Sequence, residues 1–403
     1  MDSELDGMQS EPLSPRDESN LDDHPAKADL PHARSSTTSN FTTSDDKSVA
    51  STSQSEIEEL EKKYPAFVRH DLYGTMGRGA LPWTQKILLG IALITLFPLR
   101  LVLATLVVLL YYLICRACTL FLVPNREDEQ EDYAHISRWR RKIIFWFGRV
   151  LSRTLLFVFG FYWIRETYRN PDIDSKFNNE LDVNERSEEH ERPGAIISNH
   201  VSHLDILYHM SSSFPSFVAK RSVGKLPLVG LISKCLGCIY VQRESKSSDF
   251  KGVSGVVNDR INESLQDKSA PMVMLFPEGT TTNGDYILPF KTGAFLSKAP
   301  VLPVILKYPY RRFSPAWDTI SGVSRRHVIL LLCQFVNNIT VMRLPLYYPS
   351  QEEKENPKLY AENVRRLMAR EGDLKMSDIG LPEKRVYHEA IHGKPTVLLQ
   401  KAD

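Results

Sequence analysis

Residues 87–123 constrain this chain more than any other stretch. From Ile87 to Val123 there are 37 residues and only two charges, Arg100 and Arg116. About 20 apolar residues are enough to cross a bilayer as a helix. Leu101–Val123 meets that length, with Arg116 snorkelling to water or to a lipid phosphate. Pro98 and Arg100 interrupt the run, so a kinked helix or a shallow hairpin suits it equally. A buried core helix is the third reading. Cations flank both sides: Arg78 and Lys86 before, Arg138, Arg140, Arg141 and Lys142 after. The positive-inside rule then gives no single orientation and leans toward a re-entrant arrangement with both ends cytosolic.

The next apolar segment, Ile143–Ile164, is of another kind. It places Arg149 and Arg153 on one helical face and carries Trp146, Tyr162 and Trp163. Aromatic and basic residues arranged this way suit a helix lying in the membrane interface. A core helix with an exposed Arg stripe is the alternative.

Outside these segments the texture is that of a water-soluble protein. The chain has 403 residues, 50 Lys plus Arg against 49 Asp plus Glu, and 42% hydrophobic residues. Its mean hydropathy of −0.26 excludes a many-span transporter. Near-neutrality hides an asymmetry. Residues 1–60 hold 14 acids and 4 bases, a net of −10, which leaves +11 for the remainder. A basic body favours anionic partners such as phosphates, coenzyme A or acidic lipid surfaces. Five cysteines exclude a disulfide scaffold. The acidic, polar start of the chain is not that of a secretory signal.

Five regions are expected. Residues 1–55 are poor in large apolar groups and read as a disordered acidic tail. Residues 56–86 read as a juxtamembrane linker, 87–164 as membrane-embedded and interfacial helices, 165–348 as a soluble domain, and 349–403 as a polar C-terminal extension. In the soluble domain, short apolar runs alternate with helical patterns, which predicts an α/β fold. The strand candidates are Ala195–Ile197, Ser216–Ala219, Cys238–Val241, Met272–Phe276, Val301–Leu306 and Val328–Phe335. The helix candidates are His203–Ser212, Gly252–Leu265 and Glu355–Arg370.

The chemistry concentrates in short motifs. Asn199-His200-Val201-Ser202-His203-Leu204-Asp205 directly follows a strand candidate. Ser202 with Asp205 three residues on is an acidic variant of a capping box, so a helix is expected to start near His203. His200 then stands just before the helix and Asp205 in its first turn. A carboxylate there can reach an imidazole nitrogen, fix its tautomer and stabilise the imidazolium. An ordinary helix cap with a surface histidine is the plain alternative. Phe276-Pro277-Glu278-Gly279-Thr280 closes another strand candidate, followed by Thr281, Thr282, Asn283 and Gly284. Gly permits close approach, and successive N–H groups with hydroxyls can cradle a phosphate. Asn283-Gly284 also suits a plain hairpin turn. Gln242-Arg243 ends a third strand candidate, and Lys291 adds a cation beside a turn. Two Cys-x-x-Cys pairs, Cys115/Cys118 and Cys235/Cys238, invite a zinc or redox reading, but apolar surroundings favour packing, and no metal is expected.

Together these pieces resemble the glycerolipid acyltransferases. Asn199-His200-x-Ser202-x-x-Asp205 is similar to their first motif and Val241-Gln242-Arg243 to their second. Phe276-Pro277-Glu278-Gly279-Thr280 is similar to the third and Val301-Leu302-Pro303-Val304 to the fourth, in the same order. The resemblance covers about residues 190–310. Beyond it the chain looks most like the plant-type branch that acylates lysophosphatidylethanolamine. The resemblance implies an α/β catalytic domain with a central mixed sheet flanked by helices, preceded by the membrane-helix region and the tail.

The same resemblance implies acyl-CoA as co-substrate, no cofactor, a lysophospholipid acceptor and a bilayer partner, with no nucleic acid. His200 would be the general base and Asp205 its partner. Arg243, Glu278, Gly279 and Thr280 would position the acceptor's phosphate and glycerol, and Lys291 the coenzyme phosphates. Backbone N–H groups at the helix start are candidates for the oxyanion hole. Relatives that act on phosphatidic-acid precursors usually carry Arg after Glu-Gly-Thr. Thr281 stands there instead, which favours a capped, diester phosphate. Residence in the endoplasmic reticulum membrane with a cytosol-facing catalytic domain follows from the resemblance. Two other readings stay open: an enzyme using lysophosphatidic acid or glycerol 3-phosphate, and an inactive membrane-anchored lipid-binding scaffold.

Overall fold

The structure is a computed structural model that describes residues 54–126, 130–133, 136–169, 192–241, 253–267, 270–317 and 324–391. The expected tail lies outside these residues apart from its last two positions.

The described elements, in chain order, are α1 (Gln54–Lys63), α2 (Trp83–Ile94), α3 (Leu96–Cys118), α4 (Arg138–Val158), β1 (Ile164–Tyr168), β2 (Ala195–Ser198), α5 (Leu204–Ser212), β3 (Ser216–Lys220), α6 (Val229–Cys235) and β4 (Ile239–Val241). They continue with α7 (Val253–Gln266), β5 (Val273–Leu275), β6 (Tyr286–Ile287), β7 (Val301–Lys307), α8 (Ser324–Leu332), β8 (Ile339–Arg343), α9 (Gln351–Glu355), α10 (Pro357–Glu371), β9 (Lys375–Met376) and α11 (Leu381–Ile391). Seven strands form one mixed sheet in the order β1-β8-β7-β2-β5-β3-β4. From β7 to β4 every pairing is parallel, whereas β8 runs antiparallel to β7. β6 and β9 form a separate parallel pair.

Strand β2 is buried along its whole length because both sheet faces are covered. Its residues alternate between the two layers. Ile196 packs with the face that holds Leu156 of α4, Tyr208 of α5 and Leu331 of α8. Ala195 and Ile197 pack with Ile261 of α7 and Tyr360, Val364 and Met368 of α10. Residues 349–403 are thus more than a polar extension. Helix α10 supplies much of one covering layer, opened by Pro357 at its first position and capped by Asn356.

The apolar run divides at Thr95, three residues before the proline. Pro98 is the third residue of α3, where a missing N–H costs nothing because the first four helical N–H groups have no intrahelical partner. Among the described residues α3 is the one helix long and apolar enough to cross a membrane. Most of its surface is exposed, as are Ile87, Ile91 and Ile94 of α2. Arg100 is not exposed. Its guanidinium donates to the carbonyls of Leu332 and Phe335, both at 3.0 Å, to that of Gln334, and to the Tyr162 hydroxyl at 3.1 Å. It therefore satisfies orphan carbonyls at the end of α8. Near the other end of α3, Arg140 donates to the Cys118 carbonyl and Cys115 packs in one core cluster with Cys235.

Helix α4 starts at Arg138 and ends at Val158, before the expected bound, and Ile164 opens β1. It shows both faces that its sequence allowed. Ile144, Leu151 and Leu156 enter the core, while Trp139, Trp146 and Phe157 are exposed. Gly148 permits the approach, since a Cβ there would sit 2.0 Å from the Phe214 ring.

Two expectations need correction. Val328–Phe335 is not a strand, since its first five residues complete α8. A short continuous apolar run has no period that separates strand from helix. The strand lies just beyond, at Ile339–Arg343. The stretch read as a linker is also folded. Tyr64, Ala66, Phe67, Val68 and Met76 form a small core with Leu288 and Tyr387 of α11.

Candidate active site

The parallel strands β2, β5 and β7 point their carboxyl ends the same way, and the loops that follow them meet there. This is the usual crevice for a ligand on an open α/β sheet. Asn199 fixes the first loop. Its side chain pairs with the backbone of Leu306 in both directions, at 2.9 and 2.8 Å, so it continues the β2–β7 ladder.

His200 and Asp205 come together as their spacing predicted. His200 Nδ1 donates to Asp205 Oδ2 at 2.9 Å. The same oxygen accepts the backbone N–H groups of Val201 (2.8 Å) and Ser202 (2.9 Å). Because that oxygen acts as an acceptor toward both amides, it is placed to accept from His200 as well, which puts the imidazole hydrogen on Nδ1 and leaves the Nε2 lone pair free. Tyr308 donates its hydroxyl to Asp205 Oδ1. Asp205 is fully buried and the His200 side chain is 20% exposed. Phe276 stacks on the imidazole at 4.0 Å between ring centres. The helix-start amides of Val201 and Ser202 are committed to Asp205, which removes those two from the expected oxyanion donors.

Glu278 lies underneath, 2% exposed. Its Oε1 accepts the backbone N–H of His200 at 2.8 Å and its Oε2 that of Leu288 at 2.9 Å. The third motif was expected to meet the acceptor's phosphate through this residue. Instead both carboxylate oxygens turn inward and brace the histidine loop. Burial pushes the Glu278 carboxyl up to about 8, against the two backbone donors and Lys384, which favour the charged form.

Gly279 has φ +69, and a Cβ there would stand 2.7 Å from Lys291 Nζ. The exposed Lys291 is therefore folded against the loop, beside Thr280. Arg243 lies outside the described residues. Thr281 is buried, and its hydroxyl donates to the Trp317 carbonyl at 3.2 Å.

Sequence reasoning missed two residues here. Tyr308 follows the fourth-motif strand at once, so its place at a carboxyl end of the sheet was a usable signal. Lys384, in the expected polar extension, carried none. It lies on α11, 5% exposed, and donates to Thr280 Oγ1 (3.1 Å), the Thr281 carbonyl (2.7 Å) and Thr281 Oγ1 (3.1 Å).

The two Cys-x-x-Cys pairs meet between α3 and α6, with all four thiols buried and unbridged. Among the described residues no group of three or more His, Cys, Asp or Glu side chains is placed to hold a metal ion.

Comparison with known proteins defines the class. A family model described as Acyltransferase matches residues 179–307. The chain is 64% identical to Lysophospholipid acyltransferase LPEAT1 of Arabidopsis thaliana over 354 residues, 84% of this chain and 88% of that protein. It therefore belongs to the acyltransferase family and is an O-acyltransferase. Lysophospholipid acyltransferase LPEAT2 of the same plant is 33% identical over 54% of this chain and 36% of its own length. Lysophosphatidylcholine acyltransferase 1 of Rattus norvegicus is 30% identical over 73% of this chain, which spans half of that relative's length.

Proposed function

We propose that the chain transfers the acyl group of acyl-CoA to the free hydroxyl of a lysophospholipid, foremost one with an ethanolamine headgroup. The carrying observation is the His200–Asp205 pair, held by four donors on one carboxylate and exposed on the imidazole side. Nε2 of His200 takes the proton of the glycerol hydroxyl as its oxygen attacks the thioester carbonyl. The C–O bond forms, the C–S bond breaks, and the departing thiolate takes the proton back from the imidazolium. Asp205 balances the imidazolium in between. A thioester is already activated, so neither a covalent enzyme intermediate nor a cofactor is invoked. Arg243, Gly279 and Thr280 are proposed to receive the acceptor, with Lys291 at the coenzyme phosphates.

Membrane attachment belongs to the same proposal. Helix α3 is about 34 Å long at 1.5 Å per residue. The catalytic domain touches it near both ends, through Arg100 and through Cys115 and Cys118. A helix that crossed the bilayer would place those contacts on opposite sides. The α2–α3 pair is therefore proposed to enter from one side, with the domain on the cytosolic face of the endoplasmic reticulum. A surface groove of about 1210 Å³ lined by Arg138, Arg141, Lys142, Arg149 and Trp146 suits the headgroup layer of that face.

The test is acyl-CoA-dependent acylation in microsomes, wild type beside His200→Ala. The acceptors are the lyso forms of phosphatidylethanolamine, -choline, -serine and phosphatidic acid. Activity lost in the variant and greatest with a diester acceptor is expected. Preference for lysophosphatidic acid would overturn the acceptor, and activity surviving in the variant would overturn the base.

A further inference from the structure

Lys384 stands about a hundred residues from the third motif in sequence, yet its ammonium is buried against Thr280 of that motif and Thr281 just after it. An ammonium has three N–H donors and no lone pair. Both hydroxyl oxygens it meets, Thr280 Oγ1 and Thr281 Oγ1, must therefore accept. Each threonine keeps one hydroxyl hydrogen. Thr281 gives its hydrogen to the Trp317 carbonyl. Thr280 has no such acceptor among the described residues, although it is half-buried beside Gly279 and Lys291.

We propose that Lys384 is a positioning residue for the acceptor's phosphate and acts through Thr280. The ammonium forces the Thr280 oxygen to accept, polarises the hydroxyl and leaves its hydrogen for an anionic oxygen of the bound lipid. The acceptor class rests on the function proposed above. A single hydroxyl donor suits a singly charged phosphodiester.

Packing holds the lysine there. Its ammonium lies 5.1 Å from the centre of the Phe67 ring. Tyr387, one turn further along α11, packs on Tyr64 at 5.5 Å between ring centres. On the opposite side of this small core, Asn283 Nδ2 donates to the carbonyls of Pro65 (3.0 Å) and Val68 (2.8 Å). Residues 64–68 thus contact both the loop after the third motif and α11, so moving the lysine away disturbs both sets of contacts.

The test measures kcat and both apparent KM values for full-length wild type, Lys384→Met, Lys384→Arg, Thr280→Val, Thr280→Ser and the Met/Val double variant, with thermal unfolding alongside. The acceptor is whichever lysolipid the wild type prefers, so an error in headgroup choice and an error about Lys384 are told apart. Lys384→Met and Thr280→Val are each expected to raise the acceptor KM about tenfold or more, the scale of one hydrogen bond to a charged group. The KM for acyl-CoA should stay unchanged. The double variant should be no worse than the worse single, because one residue acts through the other. Thr280→Ser and Lys384→Arg should retain most of the acceptor affinity. An additive double variant overturns the proposal, as does a fall in kcat with both KM values unchanged. Should Lys384→Met fail to fold, Thr280→Val alone decides: an unchanged acceptor KM overturns the proposal.

Discussion

Glu278 accepts the backbone N–H of His200 at 2.8 Å, so the acid of the third motif carries the histidine of the first. Two motifs almost eighty residues apart are one hydrogen-bonded unit. Replacing Glu278 by Gln leaves one oxygen for two backbone donors and points an amide N–H₂ at the other. A buried donor facing a donor costs about 1–3 kcal/mol. Glu278→Gln should lower thermal stability on that scale and reduce kcat more than either KM, because His200 shifts rather than the ligand contacts. Steady-state kinetics with a melting curve checks this; an unaltered kcat would remove the bracing role.

Tyr308 gives Asp205 its fourth donor. Phenylalanine keeps the ring, which packs edge-on against Phe161 at 6.0 Å, and deletes only the hydroxyl. Asp205 Oδ1 is then a buried oxygen without that donor. Tyr308→Phe is expected to cost about 1–2 kcal/mol in stability. It should lower kcat about tenfold and hold both KM values near wild type. A larger effect on KM than on kcat would place Tyr308 at the ligand.

Three buried histidines set an acid limit. Burial lowers His203 to about 4, and His209 and His327 to about 3, from the usual 6.5. Below pH 6.5 the unfolded chain binds protons that the folded protein refuses, so stability falls as pH drops. Glu278 works in the opposite direction. Its raised carboxyl holds a proton in the folded state between about 4.5 and 8, so its contribution falls as pH rises through that window. Three histidines outweigh one carboxyl below 6.5, and the carboxyl acts alone above it. From these four groups, stability should peak near pH 6.5. Melting temperatures in detergent between pH 4.5 and 8.5 would show it, and His327→Phe should flatten the acid side by about half, because the net of three histidines over one carboxyl falls from about two protons to about one. A steady rise to pH 8.5 would contradict the assignment.

The two arginines of the apolar stretch should respond unequally. Arg100 satisfies three carbonyls beyond or at the end of α8, whereas Arg116 is exposed. Arg100→Met leaves buried carbonyls unpaired and should cost more than about 3 kcal/mol, with early proteolysis at α8. Arg116→Leu should change stability by less than about 0.5 kcal/mol. Equal losses would mean that α3 is not docked through Arg100.

Sequence alone carried the local parts of this protein. The four motifs were legible because each packs its chemistry into seven residues or fewer. The His200–Asp205 pair followed from a capping pattern, in which a carboxylate in the first helical turn reaches back to the residues just before the helix. Strand β2 is legible in its length and β-branched content, and helix α5 in its helical pattern. The tertiary structure decided what joins these parts. Lys384 and Thr280 have no shared pattern, because their contact is set by α11 packing on Phe67 and Tyr64. Val328–Phe335 could be strand or helix by its own residues, and only the place of α8 against Arg100 of α3 resolved it. Glu278 kept its motif but changed its task, since a carboxylate that enters the core must spend its oxygens on the nearest N–H donors. Local chemistry is written in adjacent residues, whereas the partner of a buried charge is chosen by the packing that removes water from it.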